Sequence, residues 1–457
     1  MKKVFLFYLI LIFSSSIGAK DLETDVYRRN SLCNFFIGES DVSNGYGQMV
    51  GDCLLKYVMS DKFNDHCLSQ KFMSIANTQY TKDELNAIYP SSKQKKDNLL
   101  RSLDNQLISS VNSNSTNAQK KSAATLKAQW EKKDRRHEFG ARALHWLNEN
   151  HIASLLVAQW FNAKAEKVDG SHYDMQLIQD RGAYNASELE KLRSKESVRG
   201  DALLKDAGME LIPNTYVTVT YFTVKTAKEV SQADDWDSSW TTTMFEVIRA
   251  VNPAWRSNAD VKAFWVESTT FLFKLIWDEE TENKFLTEYW DQDYNKLATS
   301  NDFSLKYMGY VESNGCGYPL PGKENDDVGI LSMALYDAID NGIAKLQKEY
   351  EDFKIKVPLI EVNGKDATAF IGLKEGLEKN TKFEVLERVY NEKSNIFRYK
   401  KVGNLKIDKS RVWENREMIE GIKRSQSSVE PNPDVDRTYL LGANGSMAPG
   451  MLIRQTK

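Results

Sequence analysis

The chain has 457 residues, a formal net charge of −3, and 27% charged against 41% hydrophobic residues. That length leaves room for about three domains, and Leu, Ile, Val, Phe and Trp recur along it densely enough to predict packed cores. The near-balance of charge excludes a general nucleic-acid binder, which carries a basic excess. Beyond the first twenty residues no apolar run approaches the length of a membrane-spanning helix.

The amino terminus carries the clearest local pattern. Lys2 and Lys3 precede an almost unbroken apolar stretch at 4–13, and small residues fill 14–19. This is the layout of a secretory signal peptide (1–19), cut after Gly18 or Ala19. Cleavage after Ala19 leaves a net charge of −5. The expected destination is the periplasm, with the outer-membrane inner face or the medium as alternatives. Export places Cys33, Cys53, Cys67 and Cys316 in an oxidising compartment, where disulfides form. Four cysteines allow three connectivities, and the local candidate is Cys53–Cys67. Zinc ligation by Cys33, Cys53, His66 and Cys67 lacks the close cysteine pair such sites use, so no metal is expected.

Residues 20–135 read as a helical and irregular segment. An apolar helical patch lies at 52–59, and Thr81 with Glu84 forms a capping-box pattern. The composition turns polar near 91–136, and its Ser/Asn tract at 109–117 reads as a flexible linker. Residues 137–355 mix helices and strands. The run 152–161 is apolar all round and predicts a buried helix. Asn185, Ser187 and Glu188 suggest the start of a further helix, and 203–211 another, ended by Pro213. The stretch 216–224 predicts a strand covered on both sides, with Val217, Val219 and Tyr221 on one face and Phe222 and Val224 on the other. A second strand at 271–277 aligns Phe271, Phe273, Leu275 and Trp277, and a third lies at 305–312. Spacings of three and four from Leu331 to Phe353 predict a long helix over 327–353.

From 356 onward short strands are predicted at 369–373, 382–389, 396–401, 404–407 and 451–454, with a hairpin tip at 391–395 and a loop at 425–436. The fold class is therefore α+β (or α/β): a helical amino-terminal segment, a central helix-and-sheet domain, and a small β-rich barrel or sandwich over 356–457. The last unit is expected to fold on its own, because the long helix closes the one before it.

Catalytic motifs are absent: there is no G-x-S-x-G elbow, phosphate-binding loop or H-E-x-x-H helix. The glycines at 45, 47 and 51 have one residue too many for a dinucleotide fingerprint, and no cofactor is expected. His137 and His145, eight residues apart on one helix, stand about 12 Å from each other, too far to share a metal. The pairs Asp234–Asp235, Glu279–Glu280 and Asp326–Asp327 read as solvated loop or helix-start positions. Six of the ten tryptophans fall within 236–290. Among them Trp236 and Trp240 sit in a polar, acidic stretch, and with Asp235 they form the candidate ligand or partner contact. The alternative is a loop that folds both rings down onto the sheet.

Seven stretches carry a family resemblance: LLVAQWFN (155–162), DMQLIQDRGAYNAS (174–187), RGDALLKDAGMELIPNTYVTVTYF (199–222), LFKLIWDEE (272–280), LQKEYEDFKIKVPL (346–359), GLKEGLEKNTKFEVLERV (372–389) and RYKKVGNLKIDKSRVWENR (398–416). Over about 145–457 the chain resembles an uncharacterised family of exported proteins of Gram-negative bacteria. That resemblance implies export and brings no catalytic residues. In layout alone the chain is similar to envelope-assembly proteins of the curli-secretion and TolB amino-terminal type, a fold-level analogy. The expected function is a non-catalytic cell-envelope binding or assembly protein, its partner an envelope protein or glycan. The alternative is a periplasmic or secreted hydrolase acting on glycan. A pocket of convergent carboxylates or histidines would favour the hydrolase, and a flat aromatic patch or open sheet edge would favour binding.

Overall fold

The computed structural model describes residues 29–38, 45–110, 117–185, 205, 208–232, 238–391, 396–425 and 427–456. A seven-stranded sheet forms its centre. In chain order its first six strands are β1 (Ser31–Ile37), β2 (Asn64–Asp65), β3 (Phe72–Met73), β4 (Thr215–Thr226), β5 (Phe264–Leu275) and β6 (Leu305–Pro319). β1 runs parallel to β4, and β4, β5 and β6 follow in antiparallel order. The seven-residue run that makes β1 is buried along its whole length. With Ser31 and Asn34 among its apolar residues and two aromatics side by side, the run keeps neither a helical nor a strand period, so the sequence does not mark it as a strand.

Both faces of the sheet are covered. Leu32, Phe36, Tyr216, Phe222 and Val224 point into one core. Cys33, Phe35, Val217, Val219, Phe271 and Phe273 point into the other. This alternation is the one read from 216–224, because successive side chains of a strand face opposite ways. On the first face lie helices α1 (Gly47–Leu54) and, further along the chain, the long helix Asp327–Glu349, which carries the predicted apolar stripe and ends in a 3₁₀ turn at Glu351–Phe353. On the second lie α2 (Lys82–Ile88), the end of α4 (Asn117–Glu149) and α5 (Ile152–Trp160). Thr81 caps α2 with the reciprocal Glu84 bond that the sequence pattern implies.

The expected polar linker near 91–136 is largely helical. α3 (Ser91–Ser110) and α4 occupy it, and residues 111–116 lie outside the described residues. The two helices are joined by Arg101–Asp134 and Lys133–Asp97, both at 2.7 Å. The described side chains at 91–103 and 131–136 are mostly solvent-facing, while Ala141, Ala143, Leu144 and Leu147 at the far end of α4 anchor it to the sheet. α6 (Gln176–Asn185) follows, and the helix expected from Asn185 falls at its end and outside the described residues. α7 (Ser238–Val251) follows β4, and the helix Asp327–Glu349 is α8.

β6 meets α8 at glycines. A Cβ on Gly315 would stand 2.1 Å from the Ala334 carbonyl oxygen, and one on Gly317 would stand 1.9 Å from that of Ile330. Only the missing side chains allow the helix backbone to lie against the strand.

The carboxy-terminal region holds the expected barrel. β7 (Lys356–Asn363), β8 (Asp366–Ala369), β9 (Lys382–Asn391) and β10 (Ile396–Ile407) come first. The chain then leaves to add β11 (Ile422–Arg424) to the free side of β6, and returns as β12 (Thr438–Leu441) and β13 (Leu452–Gln455). Six of these, all but β11, close in the order β10-β12-β8-β7-β13-β9. The strands read separately at 396–401 and 404–407 are one strand, β10, whose register slips between Lys401 and Gly403. A bulge of this kind bends a strand without ending it. The core of the barrel is continuous with that of the sheet: Leu359, Phe383, Val385, Leu405 and Leu440 belong to the same cluster as Phe36, Tyr216 and Leu331. Among the described residues no helix is long and apolar enough to cross a membrane.

Candidate functional site

The segment between α1 and β2 forms one wall of a groove and is fastened from behind. Asp337 and Asp340, three residues apart on α8, are 1% and 3% exposed in an otherwise apolar face. Two carboxylates so placed need a cation, and β11 brings it. Arg424 Nε donates to Asp337 Oδ1 at 3.1 Å and its Nη2 to Asp340 Oδ2 at 2.7 Å. Burial works against the Arg424 charge, but Asp340 and Asp337 outweigh it and raise its pKa. The Ser425 hydroxyl also donates to Asp337, and Arg416 stands 4.0 Å from that carboxylate.

The same cluster reaches the groove wall. Tyr57 Oη donates to Asp340 Oδ1 at 3.0 Å, and Ser60 Oγ to Glu375 Oε1 at 2.8 Å. Lys374 Nζ donates to the Val58 carbonyl at 2.7 Å and also pairs with Glu417. Burial pushes the Glu375 and Asp340 carboxyls up and the Tyr57 phenol well up, Asp340 adding to the last. Asp340 and Glu375 hold the wall from behind and are not part of the groove's lining.

The groove itself encloses about 440 Å³, with Asn34, Phe36, Tyr57, Asp61, Cys67 and Lys71 among its lining. It follows an interruption in the sheet edge. β2 and β3 cover the two ends of β1, and between them Asn34 N–H donates to Cys67 Sγ at 3.4 Å. Phe36 N–H donates to the Lys71 carbonyl at 2.9 Å. The aromatic lining is recessed, Phe36, Phe63 and Tyr57 being 2%, 3% and 8% exposed. Leu55 and Val58, in contrast, are 57% and 60% exposed on the rim. The two carboxylates of the lining are engaged: Asp61 with Lys62 at 2.6 Å, and Asp65 Oδ1 with the Cys67 N–H at 2.9 Å. Among the described residues no histidine lines the groove.

Behind it, His66 is fully buried against Trp160, with ring centroids 4.9 Å apart. Arg181 donates to His66 Nδ1 at 2.9 Å, so Nε2 carries the proton facing the Leu156 carbonyl at 3.0 Å. Burial, with the Arg181 charge adding to it, brings the imidazole pKa down to about 3. A folded-state pKa below the free value near 6.5 means that the unfolded chain takes up a proton first. The associated stability is therefore complete above about pH 6.5 and is lost as pH falls toward 3, at about 1.4 kcal/mol per pH unit. His66→Gln is expected to flatten the fall in unfolding free energy between pH 6 and 4 by that slope. Denaturant titrations at each pH measure it, and an unchanged slope would show that His66 titrates freely in the fold.

Of the contact expected from sequence, only Trp240 lies among the described residues. Asp235 and Trp236 lie outside the described residues. Trp240 sits on α7, half-buried against the cluster that contains Phe245, Ile248 and Trp265, so its ring is part of that packing. Cys53 and Cys67 are not brought together. Cys53 faces α8, its thiol 3.7 Å from the Val328 carbonyl, whereas Cys67 packs from the other side of the sheet. All four thiols are free. The physical reason is β2: pairing with β1 turns the chain so that Cys67 folds back on the β1 edge, away from α1. The buried charges were partly readable, since Asp337 and Asp340 interrupt the apolar stripe of α8. Arg424, Lys374 and Glu375 carried no such mark. Comparison with known protein families and with curated proteins returned no match to this chain.

Proposed function

We propose that this is a non-catalytic, exported cell-envelope binding or assembly protein, and that the groove beside β1 receives a segment of an envelope protein. The observation that carries the reading is the rim: the exposed apolar surface there is aliphatic, Leu55 and Val58, while the rings lie recessed. Sugar stacking needs an open aromatic face, whereas aliphatic rims with flanking charges suit a polypeptide partner. The engaged carboxylates and the lack of a lining histidine favour binding over hydrolysis. Export rests on the signal-peptide pattern at 1–19 and on the family resemblance.

A photo-reactive residue placed at position 55 of the full chain, in Gram-negative cells exporting it, tests the site. The expected result is a discrete adduct with one envelope protein, lost when Val58→Glu is added while the melting temperature holds. Adducts only from positions remote from the groove would overturn the site. Release of reducing ends from purified cell-wall glycan by the wild-type protein would replace binding with the hydrolase reading.

A further inference from the structure

Two cysteines from distant turns of the chain meet at the floor of the groove. Cys33 is fully buried on β1, and Cys67, half-buried, lines the groove beside it. Cys67 Sγ lies 3.4 Å from the Asn34 amide nitrogen and 3.9 Å from the Leu32 carbonyl oxygen, the two backbone groups that bracket Cys33. Both side chains belong to the core on the same face of the sheet. Cys53 and Cys316 stand apart from this pair, Cys53 against α8 and Cys316 in the cluster under α7.

We propose that Cys33 and Cys67 are an oxidisable pair, closed to a disulfide by a small-molecule or protein disulfide acting as oxidant. The exposed member reacts first. Cys67 thiolate attacks one sulfur of the oxidant, forming a mixed disulfide and expelling one thiolate. Cys33 then gives up its proton, attacks Cys67 Sγ and expels the second thiolate. Two protein thiols are oxidised by two electrons, one disulfide is reduced to two thiols, and the protons pass to the departing thiolates. Burial, with Cys67 adding to it, pushes the Cys33 thiol well above its ordinary pKa. The second step is therefore slow at neutral pH and accelerates as pH rises. Closure draws Cys67 Sγ off the Asn34 amide, which frees that donor at the groove. The pair stands independently of what the groove binds.

The experiment treats the full chain with oxidised glutathione and maps it without reduction. Trypsin leaves Cys33 and Cys53 on one peptide, 30–56, so a second cut after Glu39 is needed to separate them; Cys67 lies on 63–71. The expected product links the Cys33 fragment to 63–71. Cys33→Ser should stop the reaction at glutathione on Cys67, and Cys67→Ser should leave Cys33 unmodified. Oxidation should raise the melting temperature of the wild type by a few degrees and leave that of Cys67→Ser unchanged. A Cys53–Cys67 link, a persistent glutathione adduct on wild-type Cys67, or both thiols remaining free to alkylation would each overturn the proposal.

Discussion

Arg424→Met is expected to lower the unfolding free energy by about 3–5 kcal/mol, because it strands two buried carboxylates. Asp337 and Asp340 are nearly inaccessible to water and share this guanidinium as their bidentate partner. Methionine restores the volume of the stem but none of the charge. The loss should be read as a shift of the denaturant midpoint at constant slope. Adding Asp340→Asn to Arg424→Met should recover part of it, since one stranded charge disappears with the second substitution. The recovery is partial because Asp337 still lacks its guanidinium partner, while an asparagine oxygen at 340 can still accept from Tyr57. A single-variant loss below about 1 kcal/mol would mean that the cluster is solvated and that the groove wall is held by packing alone.

Gly315→Val is expected to destabilise by about 3 kcal/mol or more, the upper range for forced overpacking. Its Cβ would collide with the Ala334 carbonyl and approach the Ala338 nitrogen at 2.5 Å, so the obstacle is helix backbone rather than a side chain that can rotate away. Gly317 repeats the geometry one helical turn earlier against Ile330. The helix must lift from the strand, and the cores on that face, including the barrel's share of them, loosen together. Gly51→Ala is the control of opposite sign. It lies inside α1 with nothing within 4 Å of the new methyl group, and alanine should stabilise the helix by about 0.5–1 kcal/mol. Thermal melts of the two variants side by side measure both effects. A neutral Gly315→Val would show that α8 rests on β6 less closely than the carbonyl distances require.

Local patterns were legible where one residue's neighbours in sequence decide its environment. The two faces of β4, the aligned Phe271, Phe273 and Leu275 of β5, and the apolar stripe of α8 are periodicities of two and 3.6, and the fold honours each. The Thr81–Glu84 cap is a contact between residues three apart. The pairing of β9 with β10 around 391–396 is a hairpin, the shortest route between antiparallel strands.

What only the tertiary structure decided depends on partners far apart along the chain. β1 joins the sheet because Thr215–Thr226 pairs with it, a neighbour more than 180 residues away that no window sees. Cys67 lies beside Cys33 rather than Cys53 because β2 docks in parallel on β1. The boundary expected near 356 is crossed by β11, which returns to β6 and brings Arg424 to Asp337 and Asp340, 87 and 84 residues distant. Sequence fixes which faces are apolar, because burial is a property of side chains. Which faces meet is set by strand pairing and by the requirement that buried charges find each other, and both are settled only when the whole chain has closed.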